Sequence, residues 1–90
     1  MIFQSLKAVE AAYRAGETDA EKLAEIGRVA LAASDRIMVQ YWDVRDPQSL
    51  GAITKIGSRG ALLAIAAFLG KTRLIDNMIL TPDRPSEPIG

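Results

Sequence analysis

Three stretches carry residue types and spacings capable of chemistry. Gly70-Lys71-Thr72 has the glycine, lysine and hydroxyl that end a phosphate-binding loop. Such a loop cradles phosphate oxygens with backbone N–H groups and needs Gly-x-x-x-x-Gly-Lys-Ser/Thr between a strand and a helix. Position 65 is Ile65, so the leading glycine is missing, and Thr72–Leu80 reads as a strand. A hairpin turn is the better reading. Asp43 and Asp46 flank Arg45, but no other metal ligand stands beside them. The end of a strand explains them better than a metal site. Arg73 and Asn77 would share one strand face, and Thr72 and Asp76 the other. Either pair could serve in a cross-strand ladder or meet a neighbouring domain, and residue type favours the structural role. Tyr41 and Trp42 are either an exposed interaction pair or core, the commoner fate of strand aromatics. No catalytic, cofactor-binding or metal-binding residue is assigned.

The composition limits the chemistry further. There is no histidine, so nothing has an unperturbed pKa near neutrality. There is no cysteine, which excludes disulfides and thiolate metal sites. Eleven basic residues balance eleven acidic ones, leaving no electrostatic case for nucleic acid or an anionic membrane surface. No stretch reaches the roughly 18–20 apolar residues of a membrane span, and the N-terminus lacks signal-peptide features. The expected location is cytoplasmic. Ninety residues make one domain.

The elements that must position these residues follow from periodicity. Ile2, Leu6, Val9 and Tyr13 recur at helical spacing up to Ala15, and Gly16 suits a left-handed C-terminal cap. Glu10 and Arg14 form an i,i+4 pair of favourable sense. Thr18-Asp19-Ala20-Glu21 reads as a capping box with Thr18 as N-cap, opening a second helix over Asp19–Ala33. Gly27 inside that helix either allows close packing or is merely tolerated. The short Gly16-Glu17 link makes the two helices an antiparallel hairpin.

Ile37–Val44 is β-branched and aromatic and reads as a strand. Strict alternation puts Ile37, Val39 and Tyr41 on one face and Met38, Trp42 and Val44 on the other. Pro47–Leu50 suits a single helical turn. Gly51–Ser58 is a connector anchored by Ile53 and Ile56. Ala61–Leu69, nine residues without charge, fits a buried strand or a buried helix by period alone. The close glycines and the two-residue Gly70-Lys71 link favour a strand in a β-hairpin with Thr72–Leu80. The expected fold class is α+β: a helical hairpin packed on a three-stranded antiparallel sheet over residues 1–80. Residues 81–90, with three prolines, form a Pro-rich tail or linker.

The same chain resembles a known family. Gly70-Lys71-Thr72-Arg73-Leu74-Ile75-Asp76-Asn77, with the preceding Arg59–Leu69, is similar to the C-terminal segment of pantothenate synthetase (pantoate–β-alanine ligase). Gln40-Tyr41-Trp42-Asp43-Val44-Arg45-Asp46-Pro47-Gln48-Ser49-Leu50 resembles the family's Tyr-x-x-Val-x-Asp-Pro-x-x-Leu pattern. Ser5-Leu6-Lys7-Ala8 through Arg14-Ala15-Gly16-Glu17 resembles the first helix of its C-terminal domain. The resemblance covers nearly all of residues 2–80, while the tail matches in no usable way.

The resemblance implies a C-terminal lid domain. Its partner would be an N-terminal nucleotidyltransferase domain holding the ATP, pantoate and β-alanine sites. The implied reaction consumes ATP with magnesium, forms pantoyl adenylate and pyrophosphate, and then releases AMP as β-alanine gives pantothenate. No cofactor is expected in this fragment, which should be inactive alone, and weak self-association through the face that normally meets the large domain is expected. Some family members continue into a cytidylate kinase, and the tail suits such a linker or a free terminus equally. The alternative is a stand-alone, non-catalytic interaction module that retains only this domain.

Overall fold

The structure, a computed structural model, describes residues 2–82 and 84–88. Helix α1 spans Ile2–Arg14 and ends where Gly16 takes φ +113°. There Gly16 N–H donates to Tyr13 O and Glu17 N–H to Ala12 O, both at 3.0 Å. These paired bonds make the Schellman cap, whose left-handed residue costs glycine nothing. The Glu10–Arg14 pair is present, though long at 4.0 Å.

Helix α2 spans Ala20–Ala32, and its N-cap is Asp19 rather than Thr18. The Asp19 carboxylate accepts from Lys22 N–H at 3.1 Å, and Glu17 reaches Asp19 N–H at 3.2 Å. The expected capping box therefore does not form: position N3 is Lys22, and the acceptor for Asp19 N–H is Glu17, which precedes the helix. Thr18 O accepts from Ile56 N–H, and Ala20 N–H donates to Thr54 O. The connector thus competes with the helix for Thr18 and wins.

Strands β1 (Ile37–Arg45), β2 (Ala61–Leu69) and β3 (Thr72–Thr81) form an antiparallel sheet with β2 in the middle. The helical hairpin packs on one side, so the expected arrangement holds. Gly70 opens the β2–β3 turn at φ +61°, the type II′ pattern that matches strand twist. One further strand, β4 (Arg84–Pro88), lies along β3 within the stretch read as a tail. An extended segment beside an unpaired strand gains ladder hydrogen bonds, and an edge is where a strand tolerates proline.

The core lies between helices and sheet. It is built by Leu6, Val9, Leu23, Leu31, Trp42, Leu63, Ile65 and Leu80, with Ile56 from the connector. Gly27 is there for space: a Cβ would lie 2.3 Å from Trp42 Cε2. The close-packing reading of this glycine is the correct one.

The faces of β1 differ from strict alternation. Val39 pairs with Ala67 and Tyr41 with Ala66, so Gln40 is a bulge with no partner on β2. The extra residue flips the pattern. Ile37, Val39, Trp42 and Val44 turn to the core, while Tyr41 joins Met38 on the opposite side.

Candidate functional site

Residues opposite one another in an antiparallel sheet share a face. The register therefore gives the side of the sheet that the helices leave open. Its rows read Met38–Phe68–Arg73, Tyr41–Ala66–Ile75, Asp43–Ala64–Asn77 and Arg45–Leu62–Ile79. A half-solvated antiparallel sheet normally alternates apolar in and polar out, yet here most outward residues are apolar. Met38 is 72% exposed and Ile75 56% exposed. The alanines in the middle stay covered by the larger side chains beside them.

The Gly-Lys-Thr stretch is the turn at one end of this face. Gly70 and Lys71 form the hairpin tip, and Thr72 pairs with Leu69. A strand on both sides, with no helix to follow, excludes a P-loop. Arg73 and Asn77 do share a face, but their β2 partners are Phe68 and Ala64. Arg73 Nε reaches across β2 to donate to Gln40 Oε1 at 3.1 Å. Asp76 lies on the other face and accepts from its neighbour Asn77 N–H at 2.8 Å.

At the far end, β1 runs into a tightly tied loop. Asp43 and Arg45 form an ion pair at 2.6 Å, and Arg45 also donates to Leu50 O at 3.1 Å. Asp46 Oδ1 accepts from Gln48 N–H at 2.7 Å and Ser49 N–H at 3.2 Å. These two bonds hold the Asp46 carboxyl below the usual carboxylate range, with nearby Arg59 a lesser cause. Leu50 N–H closes the single helical turn onto Asp46 O at 2.9 Å, with Leu50 itself at φ +63°. Asp43 and Asp46 are thus spent on an ion pair and a cap, as the strand-end reading requires. Arg59 reaches over from the next turn to Gln48 Oε1 at 2.5 Å.

Residues 1–79 match the family described as pantoate-beta-alanine ligase. The chain belongs to that family. The pantothenate synthetase of Herpetosiphon aurantiacus is 39% identical over 80 residues, covering 89% of this chain and 29% of that protein. A bifunctional pantoate ligase/cytidylate kinase of Trichormus variabilis is 40% identical over 85 residues, covering 94% of this chain and 16% of that one. The crystal structure of pantothenate synthetase from Thermus thermophilus superposes with a TM-score of 0.79 at 23% identity, over 90% of this chain and 29% of the other. That likeness is one of fold. The chain spans less than a third of the length of these relatives, and in the pantothenate synthetases the match falls on the C-terminal part.

Within the pantoate–β-alanine ligase frame, the sequence singled out Tyr41, Trp42, Asp43, Arg45, Asp46, Arg73 and Asn77. The structure puts Tyr41, Asp43, Arg45, Arg73 and Asn77 on the open face and Trp42 in the core. Strict alternation had put Met38 with Trp42, so the apolar character of the open face was missed. The connector residues Lys55, Ser58 and Arg59 were not singled out either. Their only signal was two cations four residues apart around a hydroxyl.

Proposed function

We propose that this chain is the C-terminal lid domain of a cytoplasmic pantoate–β-alanine ligase. It would act on an N-terminal nucleotidyltransferase domain, and the Pro-rich stretch after residue 80 would close the edge of its sheet through β4. The observation that carries this reading is the family match over residues 1–79, on less than a third of each relative's length. The whole enzyme would join pantoate to β-alanine, cleaving ATP to AMP and pyrophosphate through pantoyl adenylate. An acyl adenylate is destroyed by water, so closing a lid over it has a direct chemical benefit. The open face of the sheet is the surface offered to the N-terminal domain. A face carrying Met38, Phe68 and Ile75 is costly to leave in water, and the relatives supply the additional polypeptide to cover it.

ATP and magnesium belong to the proposed whole enzyme. The donor set of this chain does not fit the metal: Asp43 is paired with Arg45, and Asp46 caps its own loop. No magnesium step is therefore assigned to its residues. The experiment is an assay for AMP and pantothenate from ATP, pantoate and β-alanine. The 90-residue chain alone is expected to give none. Turnover by the isolated chain would overturn the lid reading.

A further inference from the structure

Two hollows at the same end of the molecule differ in how their cations are used. The first, about 230 Å³, is lined by Arg28, Arg45, Glu21 and Asp43 among others. Its cations are committed: Arg28 pairs with Glu21 and Glu25 at 3.0 Å, and Arg45 pairs with Asp43. The second, about 250 Å³, is lined by Lys55, Ser58, Arg59, the glycines flanking that turn, Ile53 and Asp46. Its one acid, Asp46, is turned to two backbone N–H groups of its own loop, keeps its negative charge and lies near Arg59. Among the described residues, the Lys55 ammonium and the Ser58 hydroxyl have no hydrogen-bonded partner or ion pair. Arg59 donates through Nη1 to Gln48 Oε1, which leaves Nε and Nη2. Gly60 N–H closes the turn onto Gly57 O at 3.1 Å, so the loop carrying Ser58 and Arg59 is set before any ligand arrives.

We propose that this second hollow binds a phosphate group. A guanidinium, an ammonium and a hydroxyl line it together, and phosphate is the group that such donors match. The volume is below the roughly 300–1,000 Å³ of drug-sized pockets, which suits a group rather than a whole large ligand. The group can belong to a nucleotide or to free pyrophosphate. The site rests on geometry and charge alone, so it stands or falls separately from the lid reading.

The test is a ¹⁵N–¹H NMR titration of the 90-residue chain with sodium pyrophosphate and with metal-free ATP, each against sodium chloride at equal ionic strength. Saturable shifts of the amides of Gly57–Gly60 are expected. Arg59→Gln is expected to weaken binding about tenfold through loss of a charge-assisted bond. Lys55→Gln should weaken it less, and Ser58→Glu, which adds a carboxylate inside the hollow, should abolish it. All three residues are exposed, and the dispersion of each variant's spectrum reports its fold. Saturation by both ligands, or by pyrophosphate alone, assigns the site to the phosphate chain. Saturation by ATP alone assigns it to the nucleotide. Unsaturable shifts, shifts spread over every cationic residue, or unchanged binding by folded Arg59→Gln and Ser58→Glu variants would overturn the proposal.

Discussion

Trp42 donates its indole N–H to the Ser5 hydroxyl across 3.2 Å, and the Ser5 hydroxyl in turn donates to Ile2 O at 2.7 Å. Both side chains are buried, at 1% and 0% exposure. The bond joins the first helix to the first strand through the middle of the core. Ser5→Ala leaves the indole N–H unpaired in an apolar setting and is expected to cost about 1–3 kcal/mol. Urea unfolding measures it, and a cost near zero would mean that another acceptor reaches Nε1.

Gly27→Ala sets two effects against each other. Alanine gains up to about 1 kcal/mol of helix propensity, while a methyl 2.3–2.5 Å from three indole atoms must displace the ring. Overpacking typically costs about 1–3 kcal/mol. Net destabilisation is expected, with a changed Trp42 fluorescence maximum. A stabilised variant with unaltered fluorescence would contradict the close approach.

Leu50 is the one non-glycine residue with positive φ among those described, and its side chain is 54% exposed. The left-handed region costs an L-residue roughly 1–2 kcal/mol, and glycine returns roughly 0.5–1 of it as chain entropy. Leu50→Gly is therefore expected to stabilise the isolated chain by about 0.5–1 kcal/mol, and Leu50→Val to destabilise it. Thermal unfolding separates the two. A clear loss of stability in the glycine variant would show that the side chain is needed where it lies.

Asp46 gives the pH dependence a sign. Its folded pKa is depressed, so its contribution is fully present above the ordinary carboxylate pKa of about 3.9. That contribution is lost as pH falls through the folded value. Asp46→Asn keeps an oxygen acceptor but cannot titrate. The wild-type chain is expected to lose stability more steeply than this variant below about pH 4. Parallel acid-unfolding curves would assign the slope to other carboxylates.

The open sheet face should let the isolated chain self-associate weakly. Sedimentation of the wild type at high concentration is expected to show dimers. Met38→Glu with Ile75→Glu, both at exposed positions, should abolish them. A strict monomer at every concentration would remove the case.

The helices, the hairpin and the uniformly apolar central strand were legible because period, glycines and link length all agreed. The capping residue was not. Thr18 and Asp19 are both good caps, and the choice between them is made by the connector at Thr54 and Ile56, far along the chain. The faces of β1 were not legible either, since a bulge shifts alternation without any marker as plain as glycine. The strand from Arg84 to Pro88 was hidden by its prolines, which look like a tail until a bare strand lies beside them. The Lys55–Arg59 hollow needed two turns brought together by the sheet, a juxtaposition that spacing does not express.

The bulge at Gln40 also governs how the domain can meet other molecules. Without that residue, Ile37, Val39, Trp42 and Val44 would alternate regularly inward, so the core does not require it. The bulge sits on an outermost strand, where a long flat run of unpaired N–H and C=O groups would invite another strand to add on. Breaking the ladder there spoils the template for fibril-like stacking. Contact is left to the broad apolar side of the sheet, where side-chain shape can discriminate between partners.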